Sequence, residues 1–189
     1  MSADYAAQRT TMVESQVRTA DVTDLALQDA MRRVAREAVL PAAKRYLAYA
    51  DIEIEYAPGR WLLRPRDVAK LLQAVRPRAG ERALAIAAPY AAAVLEAVGL
   101  IVERLDGADL TSPAGAFDVI ICEGAVARAP AAWTRALAPG GRLGVVERDG
   151  PVGRAMLYLR SGQGAGALAM FDSTPPLLAG FAAEAGFAF

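Results

Sequence analysis

The chain contains no histidine and no asparagine, a single cysteine and, among its 21 basic residues, only two lysines. Without histidine there is no imidazole base, no Ser-His-Asp or Cys-His arrangement and no histidine-ligated zinc or iron. One cysteine, Cys122, excludes an intramolecular disulfide and a cysteine-cluster metal site. Charge of one sign is also missing. Lys+Arg and Asp+Glu are 21 each, so the net charge is zero, which argues against a nucleic-acid partner held through phosphates. No apolar run reaches the ~18 residues that would suggest a membrane span. The opening MSADYAAQRTTMVESQVR lacks the basic-then-apolar layout of a signal peptide, so a cytoplasmic location is expected. Any catalysis must use carboxylates, hydroxyls, backbone donors or a bound cofactor.

What is present suits one domain. Hydrophobic residues make up 54% of 189 positions, but 43 of them are alanine, leaving about a third of the chain as large apolar side chains. That is enough for one core at this length. Residues 1–79 read as a helical segment and 80–189 as a sheet-based unit packed with it. Leu27, Met31 and Val34 recur at helical spacing behind a Thr23 or Asp24 cap. A helix is expected from Pro41 to about Tyr49, and another from Pro65 with Val68, Leu71, Leu72 and Val75 on one face. Tyr5–Val17 reads as a weaker helix, an arm or a dimer contact. The arginines around the Pro65 helix read as a solvated face.

After Gly80 short apolar runs alternate with helices, the pattern of a parallel sheet covered on both faces. The expected strands are Arg82–Ala88, Leu100–Leu105, Phe117–Cys122 and Gly141–Glu147, with helices at Tyr90–Val98 and Pro130–Leu137. Only seven residues, Arg148–Arg154, precede the apolar run Ala155–Arg160, too few for a helical crossover. That strand should return antiparallel, and Ala167–Phe171 should complete a meander. Pro175 and Pro176 open an extended tail ending Gly186–Phe189. Cys122, behind Val119-Ile120-Ile121, is expected to be buried and unreactive.

These elements carry a resemblance. Ala30-Met31, Val34-Ala35-Arg36-Glu37, Leu40-Pro41 and Ala48-Tyr49-Ala50-Asp51 are followed by Phe117-Asp118-Val119-Ile120-Ile121 and Leu137-Ala138-Pro139-Gly140-Gly141-Arg142-Leu143. In order and spacing the chain resembles the protein-L-isoaspartate O-methyltransferase family. The tail Phe171-Asp172, Pro176-Leu177-Leu178, Gly180-Phe181 and Gly186–Phe189 is similar to a bacterial subgroup. The resemblance implies a Rossmann-like α/β methyltransferase sheet, mostly parallel with the antiparallel meander at its end, preceded by helices. It also implies S-adenosylmethionine as cofactor if the chain is active.

Three departures accompany it. The family's cofactor turn "G.G.GY" is replaced by Ala87-Ala88-Pro89-Tyr90, two residues shorter and without glycine. Glycine there tolerates positive φ and lets backbone N–H groups approach an anion; proline removes a donor. Second, only 13 residues separate Glu103 from Phe117, where the family fits a helix, a strand and a second crossover. One edge strand should therefore be absent, leaving Leu100–Leu105 as an edge that charge, a loop or a partner must protect. Third, the hydroxyls of "G.TISQP" become Trp61 and Leu63 in Gly59-Arg60-Trp61-Leu62-Leu63-Arg64-Pro65. Trp61 either packs in the core or fills the substrate cleft. Glu103 stands where the family's carboxylate accepts the cofactor's ribose hydroxyls, or else it is a strand-end carboxylate paired with Arg104 or another neighbour.

Two functions follow. One is a degenerate, non-catalytic relative kept as a binding or scaffold module, with no cofactor, no catalytic residue and a homodimeric or other protein partner. The alternative is an active S-adenosylmethionine-dependent carboxyl methyltransferase of protein repair with an altered pocket. A carboxylate nucleophile needs little base chemistry, so the absence of histidine does not exclude it.

Overall fold

The computed structural model describes residues 4–162 and 164–183. The expected tail end, Gly186–Phe189, lies outside the described residues. The chain begins with α1 (Tyr5–Met12), capped by the Asp4 carboxylate, which accepts the Ala7 N–H. It continues through a π-helical turn (Val13–Val17) and a 3-10 turn (Arg18–Ala20). This segment is not a projecting arm: Met12, Val13 and Val17 are buried in the core, which supplies the apolar contact the isolated sequence lacked. Asp24 caps α2 (Leu25–Arg33) by accepting the Leu27 N–H.

The helix expected from Pro41 forms only 3-10 turns, Ala42–Leu47, and none of its residues is buried. With no apolar stripe to dock, α-helical pairing there has no tertiary support. Next comes a small hairpin, β1 (Ile54–Ala57) with β2 (Arg60–Leu62), inside a segment expected to be helical. These strands are short and mostly half-buried, so no apolar alternation announced them. α3 (Pro65–Val75) then buries Val68, Leu71, Leu72 and Val75 as its spacing requires.

The large sheet is built from β3 (Arg82–Ile86), β4 (Ile101–Leu105), β5 (Phe117–Val126), β6 (Leu137–Arg148), β7 (Gly153–Ser161) and β8 (Gly164–Asp172). Its order is β4-β3-β5-β6-β7-β8. The first four are parallel, and β7 and β8 return antiparallel. α4 (Pro89–Val98) crosses from β3 to β4, ending on the left-handed Gly99, and α5 (Ala131–Arg135) precedes β6. No strand forms between Leu105 and Phe117, so the shortened link leaves β4 at the edge. This is the mostly parallel, Rossmann-like sheet with a C-terminal meander and N-terminal helices that the resemblance implies.

Alternation along the central strands divides the core. Ala83, Ala85, Val119 and Ile121 face the side carrying α2, α3 and α4. Leu84, Ile86, Ile120 and Cys122 face a thinner side closed by Trp133 of α5, by Leu110 of the short link and by Leu178 of the tail. Cys122 is buried, and burial pushes its thiol well above its ordinary range, as an inert apolar residue requires.

Candidate functional site

Connections leave β3 toward β4 on one side while β5 lies on the other, so the strand order reverses between β3 and β5. In open parallel sheets such a switch point, at the carboxyl ends of the strands, is where a ligand crevice forms. Here three stretches meet at that crest: Ala87-Ala88 after β3, Asp106 after β4 and Glu123-Gly124 within β5.

The turn after β3 is closed and buried. Ala87 adopts φ +45°, a left-handed conformation that favours glycine, and its N–H donates to the Leu105 carbonyl at 3.0 Å. Ala87, Ala88 and Tyr90 are fully buried, and α4 starts at once with Pro89 in its first turn. The place before α4 is held by Glu123, a fully buried carboxylate. Its Oε2 accepts the Ala91 N–H at 3.2 Å, and the N–H groups of Tyr90 and Leu63 also point to it. The helix macrodipole favours an anion there.

Glu123 has a buried counter-charge in Arg36. The guanidinium donates through Nε to the Ala48 carbonyl at 2.9 Å and through Nη2 to the Leu63 carbonyl at 2.6 Å. It also lies 4.6 Å from the centre of the Tyr90 ring. Among the described residues Arg36 Nη1, Glu123 Oε1 and Tyr90 Oη have no hydrogen-bond partner. Burial pushes the Glu123 carboxyl up to about 7 against the opposing pull of Arg36 and the amides. Burial lowers the Arg36 pKa and raises that of Tyr90.

The chain's own segments roof the crest. The tail pairs with the end of β5: Leu178 N–H donates to the Ala125 carbonyl at 2.8 Å, and Ala125 N–H donates to that of Pro176 at 3.0 Å. Gly124, at φ +101°, lets Leu178 press onto the strand; a Cβ there would lie 2.7 Å from Leu178 Cδ2. Ala179 N–H bonds Gly59 O, tying the tail to the β1–β2 hairpin, and Phe181 packs on Trp133 with ring centres 5.6 Å apart. Arg60 of β2 reaches the link after β4, its Nη2 donating to the Gly107 carbonyl at 2.9 Å.

Glu103 sits in the middle of β4, opposite Leu84, and two residues short of the crest. Its half-exposed carboxylate accepts Arg82 Nη2 at 2.6 Å, toward the start of β3. Arg104 pairs instead with Glu96 at 2.8 Å, so two ion pairs guard this edge. Leu63 is buried, but Trp61 is only half-buried and not part of the core. Sequence reasoning missed Glu123 and saw Arg36 only as part of a motif. The available signal was a carboxylate directly after the apolar run Val119–Cys122, at the end of a central strand. Asp106, the first residue past β4, was also missed; burial raises its pKa at the crest.

A groove of about 980 Å³ lies at the other end of the strands, lined by Lys70, Arg76, Arg78, Arg142, Leu168 and Phe171. Among the described residues no group of acidic, cysteine or histidine side chains could hold a metal ion.

Known proteins place this arrangement. No protein-family model matches the chain. A protein-L-isoaspartate O-methyltransferase of Methylorubrum populi is 35% identical over 181 residues, covering 81% of this chain and 85% of that protein. Protein-L-isoaspartate O-methyltransferase 1 of Rhodopseudomonas palustris (strain HaA2) is 32% identical, covering 74% of this chain and 69% of its own. Among solved structures, a protein-L-isoaspartate O-methyltransferase superposes with a TM-score of 0.69 at 20% identity, over 92% of this chain and 67% of that one. A Plasmodium falciparum chain described as such an enzyme, solved with S-adenosyl-L-homocysteine, gives 0.70 at 16% identity, over 90% and 97%. The solved structures share the fold.

Proposed function

The chain belongs to the protein-L-isoaspartate O-methyltransferase family, and on that premise we propose that it is a non-catalytic member, a cytoplasmic binding or scaffold protein that holds no S-adenosylmethionine. The observation that carries this reading is the filled first turn of α4. Ala87 and Ala88 are buried where an approach to the cofactor's amino-acid end would need open backbone, and the Glu123 carboxylate already accepts the Ala91 N–H. A second carboxylate there would face Glu123 at short range, and the residues present do not fit the cofactor.

Glu103, the one expected cofactor contact, serves the sheet edge through Arg82 in this reading. Even turned toward a ribose it would contribute at most about 3 kcal/mol per charge-assisted hydrogen bond, where a micromolar complex needs about 8. Leu63 cannot donate to a substrate carboxylate, and no catalytic residue is assigned. A binding role needs a partner, a second copy of this chain or another protein. The edge strand β8, exposed along most of its length and uncharged until Asp172, supports one. Among the described residues no helix is long and apolar enough to cross a membrane.

The identity to Methylorubrum populi and Rhodopseudomonas palustris proteins bearing the enzyme's name favours the second reading, an active carboxyl methyltransferase with an altered pocket. Labelled methyl transfer from S-adenosylmethionine to an isoaspartyl peptide separates the two. The proposal expects no transfer above a no-protein control; turnover that saturates with both substrates overturns it.

A further inference from the structure

A charged side chain in a core needs its counter-charge close by and its hydrogen bonds complete. Arg36 is fully buried, with two of its three nitrogens bound to carbonyls and Nη1 unpartnered. Carbonyls satisfy N–H groups but do not neutralise a cation. Glu123 is the only carboxylate with no exposed surface among the described residues, and it lies on the face of β5 turned toward α4. One of its oxygens takes a first-turn amide of the ten-residue helix α4, and the other is unpartnered. Tyr90 Oη is a third unpartnered polar atom in the same cluster. A helix N-terminus therefore holds one carboxylate, which the chain supplies itself, while the buried Arg36 guanidinium attracts it from beyond ion-pair distance.

We propose that the α4 first turn, Arg36 and Tyr90 form a built carboxylate-binding site, in which Glu123 is a tethered ligand occupying it. The inference rests on the reading of the crest as closed and gives that closure a physical agent. A free carboxylate is excluded because Glu123 fills the space and takes the Ala91 amide, not because donors are lacking. Shortening Glu123 to alanine keeps its Cβ and removes one methylene and the carboxylate. The atoms removed correspond to acetate. The opened site should therefore take acetate and formate, and reject butyrate, whose extra methylenes meet the buried core on the α4 side, which includes Leu63, Ala88 and Tyr90.

The test uses the full chain at pH 8, comparing wild type, Glu123→Ala, Glu123→Gln and the double variant Arg36→Met/Glu123→Ala by thermal unfolding. Sodium acetate, formate, butyrate and chloride are titrated at constant ionic strength. Glu123→Ala should unfold about 10 °C below wild type, having lost one member of a buried charge pair. Acetate should recover about 4 °C of this at ten times its dissociation constant, saturably, with chloride and butyrate inactive. Wild type, Glu123→Gln and the double variant should not respond to acetate.

An acetate effect no larger than that of chloride, or equal in wild type, overturns the proposal. If Glu123→Ala does not fold in buffer, its refolding yield from urea is read against acetate; a yield that acetate does not raise equally overturns it. Cofactor titration of wild type is a separate arm. No acetate rescue together with no cofactor binding sinks the tethered ligand and leaves the non-catalytic reading standing. Cofactor binding by wild type sinks that reading whatever acetate does.

Discussion

At the crest of the sheet, where β3 and β5 end, the chain packs its own groups; toward its foot, between the end of α3 and strands β6–β8, it leaves a groove of about 980 Å³ open. The crest buries Arg36 and Glu123 completely and roofs them with the hairpin and the tail. Charges at the foot are arranged for water. Arg142 forks onto both oxygens of Glu81 at 2.9 Å, while Lys70, Arg76 and Arg78 line the groove without an ion pair to a described residue. Desolvation pulls the Glu81 carboxyl upward, but the Arg142 hydrogen bonds and the Arg78 N–H outweigh it and hold it below its ordinary value. In a parallel sheet the crest is the end expected to bind. Its closure here, with an open groove elsewhere, is the observation on which the proposed non-catalytic reading rests.

The largest effect that should distinguish the two ends comes from Arg36→Ala. It leaves Glu123 without its counter-charge and the Ala48 and Leu63 carbonyls without donors. Urea unfolding should show a loss of about 3–5 kcal/mol. A loss below 1 kcal/mol would mean that the crest is as wet as the foot.

The next concerns pH. The Glu123 carboxyl is raised in the folded state, from an ordinary 4.5 to about 7, chiefly by burial, with Arg36 and the Ala91, Leu63 and Tyr90 amides opposing. Between about pH 4.5 and 7 the folded chain therefore holds a proton that the unfolded chain has released. Stability attached to this group is complete below pH 4.5 and is lost as pH rises through 7. The difference in unfolding free energy between wild type and Glu123→Gln should change by about 3 kcal/mol across that window, with wild type losing ground as pH rises. A constant difference would place Glu123 in contact with solvent.

The smallest effect belongs to Glu103. Its side chain is 50% exposed and its partner Arg82 equally so. Glu103→Ala should alter stability by no more than about 0.5 kcal/mol and weaken with added salt. A change several times larger would give this edge carboxylate a role that an exposed ion pair does not have.

Much of the fold was legible in the sequence because it rests on repeated local signals. The four parallel strands, α3, α4 and the meander each show a period or a connection length that admits one topology. The shortened link after Glu103 removed a strand by arithmetic alone. The β1–β2 hairpin was not legible, since strands of four and three residues, mostly half-buried, carry no period. The π-helical turn and the buried N-terminal helix depend on contacts with distant elements.

The site was legible as an absence only. Loss of the glycines at 87–90 could be read directly, but not that Ala87 would take the left-handed turn nonetheless. Glu123 and Arg36 are 87 positions apart, and nothing local marks either as buried. Their meeting is a property of the tertiary structure. Glu103 was legible as a residue type at the right place in order, while its side chain turns to Arg82 for reasons of edge geometry.

The central claim, that the closed crest admits no cofactor, is met most directly by calorimetric titration of the wild-type chain with S-adenosylmethionine and S-adenosyl-L-homocysteine. The account predicts no saturable heat up to millimolar ligand, and no rise in melting temperature at the same concentrations. A dissociation constant in the micromolar range, abolished by Glu103→Ala, would contradict it and restore the chain to the active methyltransferases.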